Sequence, residues 1–593
     1  MYYSTQFGVA ARHLSLQILR NRSTTKLADT LAATKERKCV SINSNDIITA
    51  SMTPPHLMSA TVTKAMPLLE TANSEIVAES LEISTPKAVP RAYVDKTLRP
   101  FEEIPGPAIL KLWEKYWRYV PLLGTQLFCS LLNNRFTQGR LSWNRNVTPI
   151  KYLFDQYGCV VRINGPFVND IVMIHRPEHI AEVLRQESKS PIRSGIDILQ
   201  HYRLNHCKYR SAGAFSLQGS EWLKIKEKID QPLQETISDY TGKLSSVCDE
   251  FIKRIRNIRN RQDEVPANFH QELTAWGMEC FYGIMFDSRL GFLDPTSNSA
   301  SEVTKIIDAL NTAHTYMSRC ETGFQVWRFF ETPFAKKLFT ACDVLDEIIG
   351  KYIHQTQNKL QTSSLSKQEK LTNEKRHSSL LERMLIQRIH PDDISTLIMD
   401  TIILGVQAVI NCEAFLLYFL AKNPRVQRRL YDEIISILSK TGSVMTKKSL
   451  DDMLYLKACI KESLRLRPAF PYLTRLLSSP ISLHGYMIPK GTFVIMANQI
   501  TSQREEHFED PEKYRPERWL NQNEHGQEYT CLPFGYGVRS CLGKDIAETQ
   551  MMLITATLIK EFMVEYDYAD IQSRFFMVNV PDKPLRFRFI DRN

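Results

Sequence analysis

Among the 12 cysteines of this 593-residue chain, one stands where it could act as a ligand rather than an inert buried thiol. Residues 534–543 read Phe-Gly-Tyr-Gly-Val-Arg-Ser-Cys-Leu-Gly, with Pro533 ahead and a helical pattern starting within a residue or two of Cys541. The thiolate is the nucleophilic and metal-binding form of cysteine, and it is favoured where nearby donors stabilise its charge. Gly535, Gly537 and Gly543 permit tight turns and close backbone approach. Amides opening the next helix can then face the sulfur and stabilise its negative charge. The remaining cysteines are scattered, with no CxxC pair and no dense framework, which favours a reducing compartment over a disulfide scaffold.

A second constellation lies upstream. Glu462 and Arg465 are three apart, so a helix would present both on one face. Alone, such a pair has the character of a surface ion pair of little energetic value. Its context is different here. The loop F-G-x-G-x-R-x-C-x-G, the E-x-x-R at Glu462–Arg465 and the segment Arg515-Pro516-Glu517-Arg518-Trp519 together resemble the cytochrome P450 family. The resemblance runs from near Arg99 to the C-terminus and is closest to the mitochondrial, ferredoxin-dependent branch.

That resemblance implies haem b as cofactor, with Cys541 as the thiolate ligand of its iron and Phe534 packed on the same side of the macrocycle. Arg539, Arg475, Trp222 and Lys226 match the positions that face the haem propionates. Lys226 stands where arginine is more usual, so its pairing there would be monodentate. Arg518 is expected to join Glu462 and Arg465 in a buried three-member network whose disruption leaves an uncompensated charge. Lys457 and Lys461 match the lysines that dock an acidic, adrenodoxin-like ferredoxin. After Gly543 that branch carries two arginines, whereas this chain has Lys544 and Asp545, so one partner-facing cation is lost and Lys544 keeps the other.

The elements that must position these residues are mostly helical. Strand-like stretches at Val160–Asn164 and Ile171–His175 precede a long run of helical patterns, predicting a mainly α chain with small β-sheets (α+β). The resemblance implies the cytochrome P450 fold, with the haem buried between a long central helix and the cysteine loop. Pro391–Ala421 reads as that helix, opened by Asp392 and Asp393 and closed before Asn423-Pro424. It is apolar on nearly every side, yet Asp400, Gln407, Asn411 and Glu413 interrupt it, which suits a buried core helix better than a membrane span. Trp222 and Lys226 fall in a helical segment from Gly219 to Ile229, and Arg475 at the start of a strand. His354–Ser379, rich in Lys, Gln, Ser and Thr, suggests a polar surface connection.

Composition bounds the rest. Apolar residues make up 43% and charged residues 24%, ordinary for a globular protein. The net charge of +10 suits an acidic partner, and no zinc-finger or RNP-like pattern points to nucleic acid. The first 28 residues lack Asp and Glu but carry Arg12, Arg20, Arg22 and Lys26. Residues 1–35 therefore read as a mitochondrial transit-like segment, 36–98 as a flexible lead-in and 99–593 as the catalytic domain. The implied location is the matrix side of the inner mitochondrial membrane, in peripheral association with it.

The family's A-G-x-D/E-T pattern aligns with Leu404-Gly405-Val406-Gln407-Ala408, so the acid and hydroxyl that help deliver protons during oxygen activation are both absent. Gln407 can relay through a water but cannot titrate, Ala408 can only make room for one, and Asn411 lies one turn on. Three readings stay open. The chain is a ferredoxin-dependent monooxygenase hydroxylating an apolar, sterol-like substrate; or it is a haem-thiolate isomerase or dehydratase that needs no external electrons; or it has lost catalysis and binds haem and lipid. By family position, specificity falls to Ile196–Phe215, Leu404–Ala408, Phe470–Leu473 and Phe575–Met577, the last three mostly apolar.

Overall fold

A computed structural model describes residues 98–107, 149–164, 170–207, 209–294, 300–322, 326–365, 379–442, 445–520 and 528–592. The transit-like segment and, apart from Leu98, the lead-in lie outside the described residues. Arg99 is stitched to a hairpin far along the chain. Its amide donates to Gly485 O at 2.9 Å, and its guanidinium lies 3.8 Å from the Tyr486 ring centroid.

Among the described residues the architecture is mainly α with four small sheets. The largest sheet has the order β1-β2-β6-β3, built from Val160–Ile163, Ile171–Ile174, Phe493–Met496 and Leu473–Leu476. β1 and β3 run antiparallel to their neighbours, while β2 and β6 pair in parallel. Strand periodicity splits its side chains into two cores. Val160, Val172, Ile174, Val494 and Met496 pack on one face, and Val161, Ile171, Met173, Phe493 and Ile495 on the other. Burial on both faces explains why β2 and β6 read as unbroken apolar runs. The two-stranded sheets comprise β4 (Ile481–Leu483) with β5 (Tyr486–Ile488), β7 (Phe562–Glu565) with β10 (Arg588–Asp591), and β8 (Ser573–Phe576) with β9 (Val578–Pro581).

The principal helices are α1 (Pro149–Tyr157), α2 (Pro177–Arg185), α3 (Gly219–Ile258), α4 (Phe269–Phe286), α5 (Ala300–Thr322), α6 (Pro333–Leu365), α7 (Pro391–Asp400), α8 (Gln407–Lys422), α9 (Pro424–Thr441), α10 (Leu454–Leu466) and α11 (Lys544–Glu561). The segment expected as a polar connection from His354 is helical as far as Leu365, where α6 ends. Its polar residues form the outer face of a helix that buries Ile349 and Ile353. Residues 366–378 lie outside the described set.

The central helix expected over Pro391–Ala421 begins as read. His390 caps it by accepting the Asp392 amide at 3.2 Å, and Pro391 occupies the first turn. It is not uniform, however. Between α7 and α8, residues Thr401–Val406 form a π-helical turn, a feature common at functional sites. Asp400 is drawn aside at this point: Arg203 donates to it at 2.7 Å and the Phe215 amide at 2.9 Å. Thr401 Oγ1 also donates back to Leu397 O at 2.8 Å. These bonds bolt the Ile196–Phe215 loop to the central helix immediately before the π turn. Gly213 is required there: its φ is +90°, and a Cβ would lie 2.2 Å from Arg203 Nη1. The helix is long and apolar enough to cross a membrane, but 78% of its most apolar window is buried in protein and its three buried acids are partnered, Asp393 by Arg210, Asp400 by Arg203 and Glu413 by Thr555, so it is a core helix.

Glu413 in α8 is the last of those acids. It accepts from Thr555 Oγ1 at 3.0 Å, and burial pushes its carboxyl up to about 8. A raised carboxyl favours folding below its unfolded pKa of about 4.3, and that contribution is lost as pH rises towards the folded value. Glu413→Gln should therefore match the parent near the acid end and exceed it in stability at about pH 8. Denaturation midpoints measured across this range test the point, and parallel pH curves for the two proteins would refute it.

Candidate functional site

The cysteine loop folds as its glycines require. Gly535 and Gly537 adopt φ of +74° and +69°, left-handed positions that side chains resist. Gly543 differs from expectation: its φ is −93° and it serves as the N-cap of α11. The helix starts at Lys544, three residues past Cys541, rather than within one or two. The loop is closed by the Cys541 amide donating to Phe534 O at 2.8 Å. The Gly543 amide and the nearby Arg193 cation both favour the thiolate, while burial, the larger effect, raises the thiol pKa. Cys541 nevertheless retains accessible surface. An inward-facing sulfur on a concave wall satisfies both observations.

Guanidiniums gather beside it. Arg475, buried on β3, pairs with Glu187, and its Nη1 donates to Thr474 O at 2.9 Å. Arg539 stacks 4.1 Å from the Trp222 ring centroid and donates from Nη2 to Leu217 O at 3.1 Å, but its buried Nε and Nη1 have no partner. Burial, then Arg193 and Arg475, pushes Arg539 down to about 8. A guanidinium keeps its proton in proteins. Besides burial, two neighbouring cations face Arg539 against one nearby acid, Glu187, so the cluster carries surplus positive charge.

Arg193 is the member that sequence reading missed. Its buried Nε is likewise unpartnered, and its guanidinium lies 4.5 Å from the Phe215 ring centroid. No local pattern marks it. It arrives through tertiary pairing, because the Leu476 amide donates to Ile192 O at 3.0 Å and sets residue 193 next to β3. Trp222 does join the cluster through Arg539. Lys226 instead pairs with Asp230, one turn along α3.

Behind the loop, Glu462 on α10 is fully buried and takes five donors. Arg465 Nε and Trp519 Nε1 reach Oε2 at 2.9 and 2.8 Å. Arg465 Nη2, Arg518 Nε and the Arg515 amide reach Oε1 at 2.8, 3.1 and 3.1 Å. Arg465 Nη1 donates in turn to the carbonyls of Ser502 and Pro511 at 2.7 and 2.8 Å. The expected triad is thus assembled, and Trp519 is a further member.

On the opposite side, Gln407 and Ala408 open α8 directly after the π turn. Asn411 is fully buried and committed: its Oδ1 lies 3.0 Å from His270 Nε2 and its Nδ2 donates to Gln407 O at 2.7 Å. Three of the four segments read as specificity regions meet. Phe215 meets Phe470 at 6.3 Å, and Tyr472 meets Phe575 at 6.4 Å. His314 on α5, unmarked by any sequence motif, packs 5.1 Å from Phe576, and its buried Nε2 has no partner. Burial, then His270, lowers it to about 4, so it is neutral at physiological pH.

A family model for cytochrome P450 matches residues 129–589, and the chain belongs to the cytochrome P450 family. Its activity is therefore that of a P450 monooxygenase and its cofactor is haem. Among its relatives are cytochrome P450 CYP12A2 of Musca domestica, 31% identical over 77% of this chain and 86% of the relative, and the mitochondrial cytochrome P450 302a1 of Drosophila melanogaster, 27% identical over 82% and 94%. Ecdysone 20-monooxygenase of the same fly is 25% identical over 83% and 88%. The residues fit haem: a thiol with accessible surface and a backbone donor can supply a ligand, and guanidinium N–H groups left unpartnered in a buried cluster suit its two carboxylates.

Two outcomes follow. Arg539→Leu should leave the haem-free protein at least as heat-stable as the parent while weakening haem retention by ~tenfold or more, since it removes buried like-charge repulsion along with a carboxylate donor. Haem transfer to apomyoglobin and calorimetry read the two effects separately, and a variant that loses both together would contradict the assignment. Glu462→Gln should cost about 3–5 kcal/mol by leaving Arg465 and Arg518 uncompensated. Chemical denaturation of the haem-loaded variant measures it.

Proposed function

We propose that the chain is a ferredoxin-dependent hydroxylase of an apolar, sterol-like substrate, working on the matrix side of the inner mitochondrial membrane. The observation that carries the partner assignment is a basic surface beside the cysteine loop. Lys544 and Lys461 are exposed and close enough for Lys544 to lower the Lys461 pKa after burial has done so, and Lys461 also lies 3.9 Å over the Trp519 ring. Lys457 and Lys447 share Asp451 at 3.4 and 3.0 Å, and both act on Glu548 together with Lys544. Sequence reading did not single out Lys447. Such a patch steers an acidic carrier and lets it leave again.

Bound through Cys541, haem activates dioxygen, with the thiolate donating electron density that favours O–O cleavage. The chain's own residues divide the remaining tasks. Gly543 N–H and Arg193 hold charge on the sulfur, and Arg193, Arg475 and Arg539 bind the carboxylates of the cofactor. Aromatic contacts among Phe215, Phe470, Tyr472 and Phe575 exclude water from an apolar pocket. Neutral His314 is suited to orient one oxygen function of the substrate by hydrogen bond. The sterol-like assignment draws on ecdysone 20-monooxygenase among the relatives, and the mitochondrial one on cytochrome P450 302a1 and the basic N-terminus.

Proton delivery differs from the family pattern. Both ends of the Asn411 amide are occupied, so a water held beside Gln407 and Ala408, or a hydroxyl of the substrate, takes this role. The same residues favour a second reading, an isomerase or dehydratase that needs no external electrons. Reconstitution with NADPH, ferredoxin reductase and ferredoxin decides between them: hydroxylated sterol should form only with the complete chain, and Lys457→Glu with Lys461→Glu should raise the KM for ferredoxin ~tenfold at little cost to kcat. Product formed without reductant would establish the second reading.

A further inference from the structure

We propose that Cys159, His179 and His484 form a second metal site, remote in sequence from the Cys541 loop, that binds a zinc ion and clasps three parts of the fold. Cys159 immediately precedes β1, His179 lies in the first turn of α2, and His484 sits in the turn joining β4 to β5. Although these residues are far apart along the chain, their ligand atoms all lie within 4.8 Å of one another. The two imidazoles meet edge to face, with centroids 5.7 Å apart at 68°.

The buried member has no other use in the structure. His179 is 8% exposed, and its Nδ1 makes no hydrogen bond. A polar atom in that position costs free energy unless something satisfies it. Cys159 is likewise a free thiol, and burial raises its pKa more than Arg176 lowers it. Glu178 and Glu506 add negative charge around the thiol. His179 is held neutral, down at about 4, so it needs to lose no proton to act as a ligand.

Donor chemistry selects the ion. One sulfur and two imidazole nitrogens match zinc and disfavour calcium or magnesium, which take oxygen. Tetrahedral zinc at about 2.3 Å from sulfur and 2.0–2.1 Å from nitrogen would set the ligand atoms roughly 3.4–3.6 Å apart. Closing from within 4.8 Å to that spacing asks for shifts on the order of 1 Å, which His484, exposed at a hairpin tip with φ of +52°, is free to share. Binding displaces the Cys159 proton to solvent, and a water can complete the fourth position. The effect is mechanical: the edge of the main sheet, α2 and the β4–β5 hairpin, on which Arg99 rests, become one unit.

The test uses the haem-loaded full chain, in which Cys541 is engaged, with zinc chloride alone as probe. After gel filtration the parent should retain stoichiometric zinc in addition to haem iron, read by elemental analysis. Cobalt(II) in place of zinc should give a thiolate charge-transfer band. His484→Ala, a change at an exposed turn, and Cys159→Ser should each weaken zinc binding at least ~tenfold while the haem spectrum is unchanged. Absence of retained zinc in the parent, or equal retention by His484→Ala, would overturn the site. Because haem and zinc are measured separately, a fault in the Cys541 assignment would show in the haem spectrum and leave the zinc result intact.

Discussion

A carboxylate with no route to water must find all its hydrogen bonds inside the protein, and Glu462 does so. Its partners come from two places: the next turn of its own helix, and the Arg515–Trp519 segment some fifty residues on. Arg465 extends the network to the carbonyls of Ser502 and Pro511. The long irregular stretch leading to the cysteine loop thus has few conformations that satisfy it. A buried ion pair is a poor source of net stability when compared with apolar packing, but it penalises every arrangement that leaves one partner alone. The position of Cys541 relative to α10 is fixed by that penalty.

The other face of the same loop has the reverse problem. Arg193, Arg475 and Arg539 are crowded into a dry region, with Glu187 as the nearby acid of Arg475 and Arg539 and Asp400 near Arg193. Burial raises Glu187 even though it is paired, and lowers Arg475 even though it is paired, so desolvation outweighs that pair for both members. Surplus positive charge held in a dry region suits a doubly anionic guest. The folded chain and its cofactor are therefore coupled thermodynamically, and loss of haem should loosen the region first.

Much of the proximal chemistry was legible because it is written in short, local spacing. The loop of Cys541, the Glu462–Arg465 helix pair and the segment around Arg518 each announce themselves within ten residues. The main sheet was partly legible for the same reason, through its apolar runs. What escaped reading depends on chain segments meeting. Arg193 carries no pattern of its own and gains its place from a strand pairing with Leu476. His314 looks like any helical histidine until Phe576 packs on it. The π turn at Thr401–Val406 has no local signal in an apolar helical run; it follows directly on Asp400, whose partners Arg203 and Phe215 lie some two hundred residues upstream. Lys226 shows the converse, where a matching position finds a nearer partner in Asp230.

The bolt between Arg203 and Asp400 bears on the timing of events at the site. Arg203 is completely buried, and the loop it anchors cannot swing away from the central helix without exposing or orphaning that charge. Breaking such a pair costs about 3–5 kcal/mol. At 1.4 kcal/mol per factor of ten, that thins the open population by about two to three and a half orders of magnitude. Large ligands that need this loop to move would exchange slowly for a reason that has nothing to do with their affinity, and the residence time of a bound molecule would be a property of the loop as much as of the molecule.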